Sequence, residues 1–387
     1  MTDRRLRILV ASPAYWPAHA FGGPVAVLRE LVSRLVSDGH TVDVVTTTLR
    51  DVGERPSPRT HTDVVDGARV TYLATPLRYR WMGVTPTLPL ALHRAQRPDV
   101  AHVVGFRDPL TTGVAAWCRV RGVPYVFEPV GMFRPRLRKV RLKRALDATL
   151  GRGVAAGAAL VFVSSPRERD DVVAGGVDPA RVRLRGNGFP EPPPPGRSDP
   201  LAGLVPVGAP VILYVGRIAA EKGVEFLLEA ARRLPDAHLV LAGPDDRHGT
   251  MATVRAALGE PGLGGRLHVL PPTPGPPYDL YRRATVFVLA SGGENFGLVA
   301  AEAAAAGTPV VVSDRSGVAA SFDEGEALVI PYGQEETLEA VTRVIGDDAL
   351  RVALSAGALR AAARSSWDAV ADAQLALYRE AAEQRAP

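Results

Sequence analysis

The stretch TVFVLASGGENFGLVAAEAAAAGTPVVVS, residues 285–313, contains two short apolar runs with a glycine-rich turn and an alanine-rich segment between them. The first run, TVFVLAS, has the length and the β-branched content of a buried strand. The segment LVAAEAAAAG has the composition of a helix, and Gly307 ends it. Two strands that are joined through a helix are typical of a parallel sheet. The stretch therefore predicts a strand–helix–strand unit of an α/β fold.

The same alternation of apolar runs and helical segments fills the rest of the chain. It extends through residues 1–190 and starts again after EPPPPGRSDP, residues 191–200. That segment is too rich in proline for a helix or a central strand, so we expect a semi-rigid linker. We predict two Rossmann-like doubly wound domains, over 1–190 and 201–365, that face each other across a cleft. The last segment, 366–387, is predicted to be a helix that crosses back to the first domain.

The composition of the 387 residues limits the class of protein. A single cysteine, Cys118, excludes an internal disulfide framework and favours a reducing compartment. No positively charged leader precedes the first apolar run, and no apolar run has the length of a membrane span. We therefore expect a soluble, cytoplasmic protein.

The net charge of +5 conceals an asymmetry between the two halves of the chain. Residues 1–190 hold 29 Lys and Arg against 16 Asp and Glu, whereas residues 191–387 hold 17 against 25. Seven of the basic residues lie in RPRLRKVRLKR, residues 134–144. This segment is either an interfacial helix that binds an anionic membrane surface or a solvated face that takes an acidic soluble partner. No basic–aromatic array accompanies the charge, which disfavours nucleic acid.

Two carboxylates follow the first strand of the opening stretch. Glu294 lies in the turn at the end of that strand, and Glu302 lies about two turns into an otherwise apolar helix. A carboxylate on such a helix is costly unless it is bound, either to a nearby arginine or to the paired hydroxyls of a ribose. Glu294, beside the backbone N–H groups that begin the helix, suits sugar hydroxyls. The predicted binding residues are Glu294, Asn295, Phe296, Gly297, Leu298 and Glu302.

Two cations follow an earlier predicted strand, VILYVG. Gly216 makes the turn, and Arg217 and Lys222 then lie five residues apart before the next helix. Two cations beside a helix N-terminus suit a diphosphate, whereas the alternative is a solvated charge pair beside Glu221. No Asp-x-Asp metal motif stands at a strand end, so we predict no metal and expect the two cations to take its role.

A glycine-rich loop, AFGGP, follows the first predicted strand of the chain and opens a helix. Gly22 and Gly23 allow backbone N–H groups to approach a phosphate or a sugar, unless the loop is a simple turn. The pattern is not G-x-G-x-x-G, and no acidic residue ends the second strand. NAD binding is therefore disfavoured.

A set of motifs in the second half resembles family 4 of the retaining glycosyltransferases with the GT-B fold. The set consists of E-x7-E at 294–302, G-R-x4-K-G at 216–223 and A-G-T-P-V at 306–310. The resemblance covers nearly the whole chain. It implies transfer of a sugar from a nucleoside-diphosphate sugar to a hydroxyl of a sugar or lipid-linked sugar acceptor. It also implies a place in cell-surface glycan, glycolipid or secondary-metabolite biosynthesis.

The resemblance implies a role for each candidate residue. Arg217 and Lys222 would hold the diphosphate, with Glu294 on the donor sugar and Glu302 on the ribose. The second domain would then bind the donor, and the first domain would bind the acceptor. Gly22 and Gly23 would approach the phosphate or sugar from the first domain.

One turn departs from the family's pattern. Many relatives carry His or Arg in the turn after a middle strand of the first domain, where this chain has Val130 in the sequence EPVGM. Glu128 and His102, at the ends of neighbouring predicted strands, are the candidate replacements on the acceptor side, and either can instead be structural. A GT-B epimerase or phosphorylase and a non-catalytic sugar-nucleotide-binding protein remain alternatives.

Overall fold

The computed structural model describes residues 4–51, 53–79, 81–133, 152–245, 247–273 and 275–384. The basic segment 134–144 lies outside these residues. Contacts divide the chain into two compact units. The first unit ends at Gly186 and resumes at Trp367, and the second unit is Asn187–Ser366.

The first unit is built on one large sheet. Its strands in chain order are β1 (Arg7–Ala11), β2 (Thr41–Thr47), β3 (His61–Val65), β4 (Ala68–Leu73), β5 (Leu77–Tyr79), β6 (Met82–Val84), β7 (Val100–Val104), β8 (Tyr125–Glu128), β9 (Leu160–Val163) and β10 (Val182–Leu184). Eight of them pair in the order β10-β9-β8-β7-β1-β2-β4-β3, in which only β3 is antiparallel to its neighbour. β5 and β6 form a separate antiparallel pair.

Helices connect the parallel strands of the first unit. They are α1 (Gly23–Ser37), α2 (Leu88–Arg94), α3 (Pro109–Arg121), α4 (Arg152–Ala156) and α5 (Pro166–Ala174). Local sequence sets their ends, as α3 illustrates. The Asp108 carboxylate accepts the backbone N–H of Thr111 at 2.9 Å at its start, and Gly122 ends it at φ 60°.

The second unit repeats this architecture with a smaller sheet. Its strands are β11 (Val211–Val215), β12 (His238–Ala242), β13 (Leu267–Leu270), β14 (Val286–Leu289), β15 (Val310–Ser313) and β16 (Leu328–Ile330). All are parallel, in the order β13-β12-β11-β14-β15-β16. The helices are α6 (Val224–Arg233), α7 (Thr250–Ala257), α8 (Tyr278–Arg283), α9 (Leu298–Ala305), α10 (Gln334–Gly346) and α11 (Asp348–Arg364). The prediction of two Rossmann-like doubly wound domains is confirmed for each unit.

The last helix, α12 (Trp367–Glu383), belongs to the first unit although it follows the second in sequence. It packs against α1, β7 and β8. Its buried side chains include Leu375, Tyr378 and Ala381, which join the apolar cluster under the first sheet. Among the residues that the structure describes, no helix has both the length and the apolar composition needed to cross a membrane.

The boundary between the units differs slightly from the predicted one. The first unit ends at 186 rather than 190, because the backbone N–H of Phe189 already bonds to Ser365 O at 2.7 Å in the second unit. The proline-rich segment 191–200, which was expected to be a linker, also belongs to the second unit. Within it, the backbone N–H of Gly196 donates to the Asp279 carboxylate at 3.0 Å.

Candidate functional site

The candidate donor residues lie at the carboxyl edge of the second sheet. Strand order reverses between β11 and β14, which are parallel neighbours, so the loops that follow them leave the same edge side by side. In open α/β sheets, ligands bind outside the carboxyl ends of the strands at such a reversal. The loop after β11 carries Arg217 and Lys222, and the loop after β14 carries Glu294.

Glycine lets these two loops touch. Gly223 has φ +71°, and a Cβ at this position would lie 2.0 Å from the carbonyl oxygen of Ala290 at the end of β14. Glu221 O accepts the backbone N–H of Gly292 at 2.8 Å and the Ser291 hydroxyl at 3.2 Å. The end of the first loop is therefore fixed against the start of the second.

This contact brings Lys222 and Glu294 together as an ion pair. Their side chains keep 14% and 20% of their surface exposed, so a ligand can still reach both. Arg217 is freer, with 54% of its side chain exposed and a contact of 3.5 Å to Glu221. Exposed pairs of this kind are weak, so Arg217 remains available to an anion. Gly216, at φ +145°, precedes it and donates its N–H to Ala242 O at 2.9 Å.

The loop after β14 leads directly into the N-terminus of α9. Glu294 is held on both sides, because its N–H donates to Arg315 O at 3.1 Å and its O accepts from Gly317 N at 3.3 Å. Gly297, at φ +103°, is the residue that precedes the helix. Its neighbours are the buried Phe296, the half-buried Asn295 and Leu298 at the first position of α9. The first N–H groups of a helix lack partners within the helix and attract anions or polar ligands.

Glu302 lies on α9 with 8% of its surface exposed. Its Oε2 accepts the hydroxyl of Tyr281 at 2.8 Å. Burial raises the pKa of Glu302 to about 7, although the Tyr281 hydrogen bond opposes the shift. Among the described residues, its partner is this tyrosine and not an arginine, the alternative that the sequence left open. Tyr281, from α8, is a site residue that the sequence analysis missed, because no local pattern indicates that α8 packs on α9.

In the first unit, Gly22 and Gly23 lie at the start of α1. Gly22 has φ +71°, and a Cβ on either glycine would meet nothing within 4 Å. Positive φ requires glycine at Gly22. The open space beside both leaves the N-terminus of this 15-residue helix unobstructed within its own unit.

Two family models match the chain. The model of group 1 glycosyl transferases matches residues 202–360, and that of a glycosyl transferase 4-like domain matches residues 22–188. The chain belongs to the family 4 glycosyltransferases. The two matches fall on the second and first units in turn.

Individual members of the family share a quarter to little more than a third of the aligned residues with this chain or match only part of it. The D-inositol 3-phosphate glycosyltransferase 1 of Catenulispora acidiphila is 37% identical over 198 residues, which are 46% of this chain and 46% of that protein. The chain thus spans about half the length of the curated relatives it matches. The solved sucrose-phosphate synthase of Thermosynechococcus elongatus has a TM-score of 0.77 at 25% identity, over 97% of this chain and 99% of that one.

HepE of Anabaena, solved in complex with UDP and glucose, has a TM-score of 0.75 at 16% identity. The likeness covers 97% of this chain and 100% of that one. At this level of identity it concerns the fold alone.

In this member of family 4, the two candidates for the acceptor side, His102 and Glu128, lie inside the first unit. His102 has no exposed surface, and the Glu128 side chain keeps 9%. Both side chains have partners within this unit. Arg185 Nη2 lies 2.6 Å from one oxygen of Glu128, and His102 Nε2 lies 3.1 Å from the other. Burial alone raises the pKa of Glu128, but the Arg185 charge and the contact with His102 outweigh it and hold the value at about 2.

The same network reaches α12. The amide of Gln374 donates to the hydroxyl of Tyr378, which lies 2.7 Å from His102 Nδ1. If the Tyr378 hydroxyl donates, Nδ1 accepts and the proton of neutral His102 is on Nε2, the nitrogen that faces Glu128. Burial also lowers the pKa of His102, which favours this neutral form. The arrangement anchors α12 to β7 and β8.

The turn that follows Glu128 has an unusual backbone. Val130 has φ 51° and Gly131 has φ 72°. A β-branched residue at positive φ is strained, and such strain persists only where surrounding contacts impose it. Here the N–H of Gly131 donates to the buried carboxylate of Glu168 at 2.5 Å. The sequence analysis missed Glu168. The Ser165-x-x-Glu168 pattern predicts a helix N-terminus, and the Glu168 N–H does donate to the Ser165 hydroxyl there, so the pattern was a signal that could have indicated this residue.

Proposed function

We propose that the protein is a retaining glycosyltransferase that moves a sugar from a nucleoside-diphosphate sugar to an acceptor hydroxyl. The observation that carries this proposal is the assembly of two cations, two carboxylates and a helix N-terminus at one sheet edge of the second unit. The cations suit a diphosphate, and the carboxylates suit sugar and ribose hydroxyls. Membership of the family supports the same activity.

The Lys222–Glu294 ion pair has a clear place in this reaction. A bound diphosphate would compete with Glu294 for the Lys222 ammonium, and Glu294 would then be free to accept hydroxyls of the donor sugar. Arg217 would add a second cation to the same diphosphate. As the bond between the sugar and the diphosphate breaks, the electron pair stays with the diphosphate oxygen. Fixed cations near that oxygen stabilise the growing charge.

The acceptor hydroxyl completes the exchange. Retention requires its oxygen to bond to the anomeric carbon on the face from which the diphosphate leaves. The departing oxygen is then the nearest base for the hydroxyl proton, so this step does not need His102 or Glu128. Both remain in their buried network, as the structure has them.

The proposed acceptor is a sugar or a lipid-linked sugar, in cell-surface glycan, glycolipid or secondary-metabolite biosynthesis. We propose a cytoplasmic reaction, with contact to an anionic membrane surface through residues 134–144. The lone cysteine, Cys118, is buried and cannot form an internal disulfide, in keeping with that compartment.

A non-catalytic sugar-nucleotide-binding protein is the second candidate. One observation favours it: the turn after β8 presents Val130 where many relatives carry a polar side chain. This candidate predicts binding of the donor without its consumption.

Thermal unfolding with a panel of sugar nucleotides tests the proposal, because a ligand that binds only the folded state raises the unfolding temperature with its concentration. The stabilising donor is then incubated with the protein, with and without EDTA, and the release of nucleoside diphosphate is followed. Slow release that survives EDTA supports a metal-free transferase, and isomerised sugar indicates an epimerase. Binding without turnover supports the second candidate. Absence of stabilisation by every donor contradicts both.

A further inference from the structure

The first unit contains a cavity of about 240 Å³ that the proposed donor site does not use. It lies where β1 and β2 end, and the β3–β4 hairpin lines its other side. The polar lining residues on which the inference depends are Tyr15, Arg50, Glu54, Arg55, His61 and Tyr72. The volume is below the ~300–1,000 Å³ typical of sites for drug-sized ligands, so a ligand of the size of one sugar fits better.

The hydroxyl of Tyr15 is the first sign of a ligand. Tyr15 is 1% exposed, and within the described residues its hydroxyl has no hydrogen-bond partner. Buried polar groups in folded proteins are nearly always paired, so an unpaired one requires an explanation. The neighbouring Tyr72 is already paired, because its hydroxyl donates to Trp16 O at 2.5 Å. Burial raises the pKa of Tyr15, so its hydroxyl keeps its proton and can donate it to a ligand.

Charged groups at the cavity are the second sign. Arg50 and Arg55 are exposed, and neither forms an ion pair or a hydrogen bond within the described part of the chain. Two other arginines of this unit are neutralised by carboxylates: Arg29 pairs with Asp66, and Arg69 pairs with Asp43. Guanidinium groups match the geometry of phosphate and carboxylate oxygens.

The rest of the lining suits hydroxyl groups and a flat ring. Glu54 is exposed at the cavity and can accept hydrogen bonds from hydroxyls. The rings of His61 and Tyr72 stack at 4.7 Å and 12° and form an aromatic wall. A single carboxylate beside two guanidinium groups leaves an excess of positive charge, so the ligand needs an anionic group as well as hydroxyls.

The walls of the cavity are held by hydrogen bonds, so the site is formed before a ligand arrives. The Thr47 hydroxyl donates to Pro13 O at 2.6 Å, which joins the end of β2 to the loop after β1. The Thr48 hydroxyl donates to Ser57 O at 2.7 Å and closes the segment that carries both arginines. Preformed, partly polar cavities of this kind are typical of small-molecule sites.

We infer that this cavity binds the phosphate or carboxylate group of a sugar-sized, hydroxylated molecule. Arg50 and Arg55 would bind the anionic oxygens, and the Tyr15 hydroxyl would donate to one of them. Glu54 would accept from the ligand's hydroxyls. Resting on the proposed function, the inference makes this molecule the acceptor of glycosyl transfer. It deepens that function by giving the acceptor an anionic group.

Calorimetry with the full chain tests the cavity. The probes are inorganic phosphate, glucose 6-phosphate, glucuronate and glucose, and a background of Lys222→Ala removes a cation of the proposed donor site. Glucose 6-phosphate or glucuronate should bind, and whichever binds more tightly identifies the anionic group. Glucose should bind at least about tenfold more weakly, because it offers nothing to the guanidinium groups. Glucose that binds as tightly as both anionic sugars overturns the inference.

Three variants locate the binding. Arg50→Gln should weaken anion affinity by about tenfold or more, and Tyr15→Phe should weaken it several-fold, since it removes only the hydroxyl. Arg59→Gln is the matched control, because Arg59 is exposed on the same unit and does not line the cavity. Anion affinity that survives Arg50→Gln and Tyr15→Phe overturns the inference, whatever the control shows.

Failure of the inference differs from failure of the proposed function. Donor hydrolysis by a protein that binds none of the anionic probes overturns the cavity site and leaves the transferase intact. Conversely, anion binding that depends on Arg50 and Tyr15, in a protein that ignores every sugar nucleotide, supports the cavity site and overturns the proposed transferase.

Discussion

The hydroxyl of Tyr281 donates to the carboxylate of Glu302 at 2.8 Å, between two neighbouring helices of the second unit. Burial raises the pKa of Glu302 to about 7, against the effect of this hydrogen bond. The side chain that we propose for the ribose therefore changes its charge close to neutral pH. Donor binding should report that change.

The first prediction is that nucleoside diphosphate affinity rises with pH up to the pKa of Glu302. Only the carboxylate can accept hydrogen bonds from both ribose hydroxyls. Below the raised pKa the protein must release a proton to bind, so the affinity should fall about tenfold for each further pH unit. Calorimetry between about pH 6 and 8 measures the affinity, and buffers of different ionisation enthalpy measure the proton released.

Two variants isolate this titration from that of the nucleotide. Glu302→Gln should bind weakly and retain only the nucleotide's own pH dependence. Tyr281→Phe removes the hydrogen bond that opposes the shift, so its midpoint should move to higher pH. An affinity profile in the wild-type protein that matches Glu302→Gln would rule out the proposed ribose contact.

The second prediction concerns the cations of the donor site. Lys222→Ala and Arg217→Ala should each lose about two or more orders of magnitude in turnover, because each removes stabilisation of the departing diphosphate. Steady-state release of the nucleoside diphosphate measures the loss. Arg232→Ala is the control, since Arg232 pairs with Glu260 on the surface of the same unit. Near-normal turnover in both site variants would contradict the proposal that Arg217 and Lys222 stabilise the diphosphate.

The third prediction separates the two carboxylates. Glu294→Gln should lower the affinity for the intact sugar nucleotide more than the affinity for the nucleoside diphosphate alone, because the proposed contact of Glu294 is with the sugar. Glu302→Gln should weaken both ligands alike, because both contain the ribose. Calorimetry gives the affinity of each variant for each ligand. If Glu302→Gln discriminates between the two ligands and Glu294→Gln does not, Glu302 contacts the sugar and Glu294 the ribose.

The fourth prediction concerns the buried Arg185–Glu128 pair. Arg185→Met should lower the free energy of unfolding by about 3–5 kcal/mol, because it leaves a buried carboxylate without its cation. Arg183→Met is a matched control, since Arg183 lies two residues before Arg185, on β10, and forms a partly exposed pair with Glu380. It should cost less than about 1 kcal/mol. If urea unfolding gives the same loss in the free energy of unfolding for both variants, the buried pair does not stabilise the protein more than the partly exposed one.

The same pair gives the sign of a pH effect on stability. The pKa of Glu128 is held at about 2, below its ordinary value of 4.5. Its contribution is therefore fully present above the unfolded-state pKa and is lost as the pH falls from 4.5 towards about 2. Arg185→Met should reduce this acid-dependent loss, because the cation that lowers the pKa is absent.

The sequence predicted the strand–helix alternation and the sheet edge at which the candidate donor residues lie, because both follow from local patterns. It did not predict that Lys222 and Glu294 pair. That contact depends on β11 lying beside β14 and on the close approach of Gly223 to Ala290. Strand order is a property of the assembled sheet and has no local signature.

The acceptor-side candidates show the same limit more strongly. The sequence analysis placed His102 and Glu128 at the ends of neighbouring strands, which is where sequence reasoning expects reactive groups. Glu128 does end β8, but His102 lies in the middle of β7, because the strand continues to Val104. Their partners Arg185 and Tyr378 are far away in sequence and enter through β10's end and α12. A polar residue on a buried strand is interpreted correctly only when these distant partners are known.

The fifth prediction concerns the basic segment 134–144. If it docks on an anionic surface, each basic residue in contact contributes on the order of 1 kcal/mol, so a few suffice for measurable binding. Replacing Arg136, Arg138, Lys139 and Arg141 with Gln should abolish co-sedimentation with anionic liposomes. Donor affinity should stay unchanged in the same variant, because the proposed donor residues belong to the second unit.

Salt dependence, and a second variant that removes three charges from the other unit, decide whether that binding is local to the segment. Attraction should disappear as the Debye length shortens from about 10 Å at 0.1 M salt to about 3 Å at 1 M. Replacing Arg255, Arg343 and Arg360, which are exposed on the second unit, lowers the net charge nearly as much and should leave sedimentation intact. Equal losses in both variants would indicate attraction by overall charge. If the wild-type protein does not co-sediment with anionic liposomes at low salt, the membrane proposal is contradicted. An acidic soluble molecule would then be the expected partner of the segment.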